Sequence, residues 1–139
     1  MIHMIKVLIG KKGSGKTKTL IASVTDAAAN AQGDLLFISS DTKRHMYDIP
    51  HKVRMVDTSA FVLKVYDEFY GFICGLLSNN FDISHMYIDS MYKIVADYEN
   101  GLEKFFTDIE GLSEQYNIDF MFTMSMDEAD APEFLKKYL

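Results

Sequence analysis

The stretch IKVLIGKKGSGKTKTLI, which begins at Ile5, constrains the fold of this chain more than any other feature. An apolar run rich in β-branched residues predicts a strand, and Gly10 follows it directly. Glycine, serine and lysine then occupy every position up to Thr17, where apolar residues at helical spacing predict a helix from Lys16. Residues 10–17 therefore match the pattern G-x-x-x-x-G-K-[ST] in full, between a predicted strand and a predicted helix.

A loop of this pattern can wrap a phosphate, because successive backbone N–H groups approach the anion closely where glycines leave room. Lys16 is expected to reach the β- and γ-phosphates, and the Thr17 hydroxyl to ligate Mg²⁺. A glycine-rich turn that matches by chance is the alternative. Since the chain contains no N-K-x-D base-reading motif, we predict ATP with Mg²⁺ rather than GTP. The predicted nucleotide-binding residues are Gly10, Lys11, Lys12, Gly13, Ser14, Gly15, Lys16, Thr17 and Lys18.

Strands and helices alternate along the rest of the chain. Further strands are predicted over 34–41, 53–57, 85–90 and 118–126, after a first strand that starts at His3. Helices are predicted over 16–32, 58–80, 102–116 and 130–139, capped by Gly33, by Asn100 with Glu103, and by Asp130. We therefore expect one α/β domain over residues 1–139, with helices flanking a mainly parallel, five-stranded sheet. Together with the loop motif of residues 10–17, this predicts a three-layer P-loop NTPase fold.

Parallel sheets bind ligands beyond the carboxyl ends of their strands, so polar residues at these ends are candidates for function. Asp41 and Ser125 end the second and fifth predicted strands, and Asp89 ends the fourth, in HMYIDS. We expect all three side chains at the same edge as the glycine-rich loop. Asp89 is predicted to hold Mg²⁺ with Thr17, through a water molecule. An aspartate that only caps a turn is the alternative.

The segments FISSD, YIDSM and FMFTMS, together with the loop, resemble the core of RecA-like P-loop ATPases over residues 1–126. Over its whole length the chain is most similar to small stand-alone ATP-binding proteins of Gram-positive bacteria. The resemblance implies nucleotide binding, with Lys16 acting on the phosphates and Asp41 activating the attacking water. Asp41 departs from the glutamate usual there, and an aspartate that caps or turns the chain before Lys43 is the alternative. The resemblance also implies a γ-phosphate sensor at Ser125, with Thr123 as the neighbouring option; strand-end hydroxyls without that role are the alternative.

The segment after Asp41 is irregular and basic. It contains Arg44, one of only two arginines in the chain, which is a candidate to stabilise developing charge on phosphate. A solvated loop charge is the alternative for Arg44. His45 and His51 lie in the same segment without a carboxylate nearby in sequence, and we expect both on the surface.

Three other functions remain open. In dimerising ATPases of the MinD and ParA type, a lysine five residues before the loop lysine reaches the partner's nucleotide, and Lys11 matches that spacing. Lys12 nevertheless replaces a glycine of that family, and the residues after Asp89 lack its D-x-x-G pattern. A nucleotide-gated regulator without turnover is a further alternative. A small-molecule kinase is less favoured, because the chain has few arginines and no lid-length insertion.

Composition narrows the choice of partners. The net charge of −6 argues against binding nucleic acid by phosphate neutralisation. The single cysteine, Cys74, excludes an intrachain disulfide and is expected to be buried. No apolar run is long enough to span a membrane and no signal-peptide pattern is present, so we predict a cytoplasmic protein. The apolar segment Phe61–Leu77 suggests action through a homo-oligomer or a protein partner. A helix that is apolar around most of its circumference because its own fold encloses it is the alternative.

Overall fold

The computed structural model describes residues 4–139 and shows an α/β fold built on a five-stranded sheet in which every strand pair is parallel. The strand order is β1-β5-β4-β2-β3, and helices flank the sheet, as predicted. His3, the predicted start of the first strand, lies outside the described residues. The strands are β1 (Ile5–Gly10), β2 (Asp34–Ser39), β3 (Arg54–Asp57), β4 (Ile83–Ile88) and β5 (Asp119–Ser125). The helices are α1 (Lys16–Asn30), α2 (Tyr66–Ser78), α3 (Met91–Ile94) and α4 (Leu102–Tyr116).

Both faces of the sheet are buried, which explains why the strands are nearly continuous apolar runs. Alternate residues of a strand point to opposite faces, and β2 shows the result. Leu35 and Phe37 belong to the core that includes α1, whereas Leu36 and Ile38 belong to the larger core that includes α2 and α4. The fold therefore places helices on both sides of the sheet.

The strand register brings the predicted site residues to one edge. Gly10 at the end of β1 pairs with Ser125 at the end of β5. Ile88 at the end of β4 pairs with both Ile38 of β2 and Phe122 of β5. Because the strands are parallel, the segments that follow β1, β2, β4 and β5 all emerge at the same carboxyl edge.

Helix α2 is shorter than predicted, because residues 58–65 are not helical. The carboxylate of Glu68 accepts hydrogen bonds from the backbone N–H groups of Lys64 (2.7 Å) and Val65 (3.3 Å), which fixes the start of the helix at Tyr66. The preceding segment instead pairs through its backbone, as the N–H of Ala96 donates to the carbonyl of Leu63 at 3.0 Å. The residues of α2 that are buried form one stripe rather than the whole circumference: Tyr66, Phe69, Ile73 and Leu77.

Gly33 does not cap α1, which ends at Asn30. Its role is close packing between strands. A Cβ at Gly33 would stand 2.6 Å from the carbonyl oxygen of Asp82 and 2.7 Å from the Cβ of Ser84. The glycine is therefore needed for the approach of the segments before β2 and β4, not for a helix end.

The other two predicted caps are also wrong. Gly101, with φ of 83°, precedes α4, while Asn100 is hydrogen-bonded to the carboxylate of Asp97 instead of the helix. Asp130 lies in a 3₁₀ turn, Glu128–Asp130, and the closing segment Glu133–Tyr138 is itself 3₁₀ rather than α-helical. Both of these caps were predicted from local sequence spacing alone.

Two expectations about environment can be compared directly with the structure. Cys74 is half-buried rather than buried, because it lies beside the buried stripe of α2 and not within it. None of the helices in residues 4–139 has the length and apolar character that a bilayer crossing requires.

Candidate functional site

The segments that follow four of the strands surround a cavity of about 300 Å³ at the carboxyl edge of the sheet. Most of the predicted site residues line it, although they come from separate parts of the chain. Three residues of the same loop do not line the cavity in the part of the chain that the structure describes: Gly10, Lys11 and Ser14. The predicted residues that line the cavity are Lys12, Gly13, Gly15, Lys16, Thr17, Lys18, Asp41, Asp89 and Ser125.

The glycines of the loop are required by its backbone. Gly13 and Gly15 have φ of 85° and 88°, in the left-handed region that favours glycine. Between them, the N–H of Ser14 donates to the carbonyl of Lys11 at 3.0 Å and closes a turn. A Cβ at Gly10 would meet the hydroxyl oxygen of Ser14 at 2.5 Å. The motif thus specifies a tightly curved loop that other residues would distort.

The side chain of Lys16 is folded back into this loop. Its Nζ donates to the carbonyl oxygens of Gly10 at 2.9 Å and of Lys11 at 3.0 Å, and the residue is partly buried. A phosphate placed in the loop would offer this ammonium a charged acceptor, which forms a stronger hydrogen bond than a neutral carbonyl. Helix α1 begins at the same residue, and its first turn contains no acidic side chain, so its positive end favours an anion in the cavity.

Asp89 is the buried acid of the site, with a relative exposure of 3%. Its Oδ1 accepts a hydrogen bond from the Thr17 hydroxyl at 3.0 Å, although the two residues are 72 positions apart. The N–H of Asp89 also donates to the carbonyl of Ile38 at 2.9 Å, which ties the end of β4 to β2. The predicted proximity of Thr17 and Asp89 is therefore present in the fold.

Thr123 supports Asp89 from the neighbouring strand. Its hydroxyl donates to Asp89 Oδ1 at 2.8 Å and accepts from the N–H of Ser90 at 2.7 Å, with the side chain fully enclosed. Ser90 has φ of 59°, which is unusual for a residue other than glycine, so the turn after Asp89 is held in a strained conformation. Of the two hydroxyls considered as a phosphate sensor, Ser125 lines the cavity and Thr123 positions the acid.

The donors at this point fit a magnesium ion. Mg²⁺ prefers oxygen ligands and binds proteins through one or two side chains, with water and substrate phosphates completing its shell. Thr17 provides a hydroxyl and Asp89 a carboxylate, both at the cavity wall. Within residues 4–139 no three His, Cys, Asp or Glu side chains are grouped so that they could hold a metal ion by themselves. Oxygens of the phosphates and of water would therefore be needed as further ligands.

His45 occupies a position that the sequence analysis placed wrongly on the surface. Its side chain is only 13% exposed, and its Nε2 lies 3.6 Å from Asp89 Oδ2. The ring meets Phe37 edge-on, with centroids 6.1 Å apart. His51, in the same segment, is exposed as expected. The partner of His45 is far away in sequence, at the end of another strand, so local spacing contained no signal for this contact.

Asp41 is exposed at the cavity wall, and its backbone N–H donates to the Ser39 hydroxyl at 3.0 Å. Its side chain forms no capping bond to the Thr42–Arg44 turn. That turn is instead held by Asp57 at the end of β3, whose Oδ2 accepts from the Thr42 N–H at 3.2 Å and the Thr42 hydroxyl at 2.9 Å. Asp57 was not predicted as a site residue, although an acid followed by Thr and Ser at the end of a strand is a signal for such a turn.

Hydrogen bonds to the carboxylate, first from Ser59 and then from Thr42, lower the pKa of Asp57 to about 2. Asp57 is thus charged at all ordinary pH values, and it fixes the backbone that carries Asp41.

The cavity is predominantly positive although the protein is acidic overall. Cationic side chains line it from three segments, whereas the acids of its wall are Asp41 and Asp89. A cavity lined mainly by cations favours an anionic ligand. Lys11 is not among the described lining residues; its side chain is 80% exposed, and its Nζ lies 3.7 Å from an Asp127 carboxylate oxygen. The cations at the wall are Lys12, Lys16, Lys18, Arg44 and Lys93.

No protein-family model matches the chain, and a search of curated proteins found no match either. The geometry of the site therefore carries the functional argument alone.

Proposed function

We propose that this chain is a P-loop protein that binds Mg²⁺ and ATP and hydrolyses the nucleotide slowly, in the manner of RecA-like ATPases. The observation that carries the proposal is the 3.0 Å contact between the hydroxyl of Thr17, at the start of α1, and the carboxylate of Asp89, at the end of β4. A chance match to the glycine-rich motif would not explain why the loop lies beside a buried acid that is distant in sequence. The pairing supplies the two protein oxygens that a magnesium–phosphate complex needs.

Each side chain then has a distinct task. The loop amides and the N-terminal end of α1 hold the phosphates, and Lys16 neutralises their charge. Magnesium, when bound, polarises the phosphate oxygens and stabilises charge on them. Asp41 is exposed at the wall and can accept a proton from water or orient it. Arg44 lines the same wall and can interact with developing negative charge.

Slow turnover is part of the proposal. Asp41 is one methylene shorter than glutamate, so it must reach further to a water molecule at the γ-phosphate. Arg44 comes from an exposed turn, which leaves its guanidinium without the fixed position that efficient catalysis requires. Action through self-association or a partner belongs to the same proposal, since Phe61, Val62 and Val65 expose apolar side chains before α2.

A dimerising ATPase stays an alternative. Lys11 is 80% exposed, its Nζ lies 3.7 Å from an Asp127 carboxylate oxygen, and it is not among the residues that line the described cavity, which is compatible with a lysine that acts on a partner's nucleotide. A nucleotide-gated regulator would use the same phosphate contacts and differ only in the absence of turnover. Measuring binding and hydrolysis separately distinguishes it from an ATPase.

Isothermal titration with Mg·ATP tests the binding proposal. Lys16→Met keeps most of the aliphatic stem and removes the ammonium that lies inside the loop, so we expect binding to be lost. Lys52→Met is the matched control, because Lys52 is exposed and its Nζ contacts the carbonyl of Ala31 instead of the cavity. We expect the control to bind like the wild type.

Thermal unfolding of both variants checks that the fold is retained. Undiminished affinity in a folded Lys16→Met variant would contradict the assignment of the loop.

A further inference from the structure

The environment of His45 extends the proposed function, on which this inference rests. We propose that His45 is a nitrogen ligand of the divalent ion that accompanies the phosphates, alongside Thr17 and Asp89. The site would then accept a first-row transition ion such as Mn²⁺ as well as Mg²⁺. This assignment follows from the position of one largely buried imidazole at the one buried acid of the cavity wall.

The two oxygens of Asp89 have different surroundings. Oδ1 accepts hydrogen bonds from the hydroxyls of Thr17 and Thr123, at 3.0 and 2.8 Å. Oδ2 faces His45 Nε2 at 3.6 Å, which is too long for a hydrogen bond. The imidazole nitrogen and the carboxylate oxygen therefore stand side by side without bonding to each other.

This spacing suits a shared metal ion. Metal bonds to imidazole nitrogen and carboxylate oxygen are about 2.0–2.2 Å long, so donors as much as roughly 4 Å apart can bind one ion. The 3.6 Å between Nε2 and Oδ2 lies inside that limit. The Thr17 hydroxyl is hydrogen-bonded to the second oxygen of the same carboxylate, Oδ1, and all three residues line the cavity.

The ring of His45 is held in place rather than mobile in solvent. Its side chain is 13% exposed, and it packs edge-on against Phe37, a fully buried residue of β2. A ligand fixed in this way loses little conformational entropy when a metal binds. Exposed His51, six residues later, has no such environment among the described residues and serves as an internal comparison.

The chemistry of the nitrogen donor determines which ions should respond to it. Mg²⁺ is a hard ion that takes oxygen ligands, and imidazole adds little to its binding. First-row transition ions accept the same oxygens and bind nitrogen donors better than Mg²⁺ does, although Mn²⁺ is the weakest binder of that series. Removal of His45 should therefore weaken Mn²⁺ binding while leaving Mg²⁺ binding essentially unchanged.

Pulsed electron paramagnetic resonance of Mn²⁺, with inorganic tripolyphosphate as the phosphate ligand, tests the assignment. Tripolyphosphate contains no nitrogen, so a directly bound ¹⁴N detected at the manganese must come from the protein. We expect this signal in the wild type and in His51→Gln, and its absence in His45→Gln. Titrations should show a lower Mn²⁺ affinity in His45→Gln than in the wild type, at unchanged Mg²⁺ affinity.

The outcomes separate this inference from the proposed function. If Mg²⁺ with tripolyphosphate binds the wild type but manganese shows no directly bound nitrogen, the histidine ligand is overturned and the proposed function is untouched. An equal loss of Mg²⁺ and Mn²⁺ affinity in His45→Gln would likewise overturn it, because a general packing effect would then be responsible. Failure of the wild type to bind tripolyphosphate with either ion would contradict the proposed function itself. Thermal unfolding of His45→Gln and His51→Gln shows whether both variants fold.

Discussion

Replacing Thr123 with valine tests how the buried carboxylate of Asp89 is held in place. Valine has nearly the shape of threonine, so the substitution opens no cavity and removes only the hydroxyl. That hydroxyl donates to Asp89 Oδ1 at 2.8 Å and accepts from the Ser90 N–H at 2.7 Å. Both bonds are lost together, and the Ser90 amide loses its partner at a turn with an unfavourable φ of 59°.

The expected loss of stability follows from these two bonds. A hydrogen bond to a charged group contributes about 1.5–3 kcal/mol, and an unsatisfied buried donor costs about 1–3 kcal/mol. Some relaxation around Ser90 is expected, so we predict that Thr123→Val lowers the free energy of unfolding by about 2–4 kcal/mol. Because Asp89 also loses a positioning contact, Mg·ATP affinity should fall by roughly 10–100-fold.

Urea unfolding and calorimetric titration measure the two effects. Thr107→Val is the matched control, since the Thr107 hydroxyl bonds the carbonyl of Glu103 on the exposed side of α4. It should change stability by less than about 0.5 kcal/mol and leave nucleotide binding unaltered. A Thr123→Val variant with wild-type affinity and a stability loss under about 1 kcal/mol would refute the role given to this hydroxyl.

Two further predictions concern turnover and pH. Asp41→Asn should retain nucleotide affinity and reduce phosphate release by roughly 10²–10⁴-fold. If phosphate release falls in Lys11→Ala instead, at rates that depend on protein concentration, a dimerising ATPase is favoured. If the wild type binds nucleotide but releases no phosphate, the protein is a nucleotide-gated regulator. Asp57, with its pKa lowered to about 2, stabilises the fold above its ordinary pKa and loses that contribution as the pH falls towards 2. The free energy of unfolding of Asp57→Asn should therefore be about 1 kcal/mol lower than that of the wild type at pH 6, after allowance for solvent screening, and this difference should shrink as the pH falls. A difference that stays constant in urea unfolding from pH 6 to about 2 would contradict the stabilising role of the Asp57 carboxylate.

Much of the architecture could be predicted from the chain because its signals are local or periodic. Apolar strand runs and helical spacing gave the order of elements, and a parallel sheet then places the ends of β1, β2, β4 and β5 together. That rule is sufficient to bring Thr17, Asp41, Asp89 and Ser125 to one cavity. The loop of residues 10–17 could be predicted because its three glycines and Lys16 match a specific motif, in which the glycines let the backbone approach a phosphate and the lysine reaches it.

Two of the errors arose where contacts between distant segments decide the structure. Helical spacing continues upstream of Tyr66, but the backbone of 63–64 is hydrogen-bonded to that of 96–97. The Glu68 carboxylate accepts from the Lys64 N–H, so the helix begins only at Tyr66. His45 was predicted to lie on the surface, yet it contacts Phe37 of β2 and lies beside Asp89, which follows β4. Such contacts are tertiary, and one sequence contains no periodic trace of them.

A crystal structure of the protein with Mg²⁺ and a non-hydrolysable ATP analogue tests the central claim most directly. We expect the β-phosphate to lie within the loop of residues 10–17, with Lys16 Nζ moved from the carbonyls of Gly10 and Lys11 to the phosphate oxygens. The magnesium ion should be bound by the Thr17 hydroxyl, with Asp89 beside it. An analogue bound at another surface, or a loop in which Lys16 keeps its carbonyl contacts at saturating nucleotide, would contradict the account.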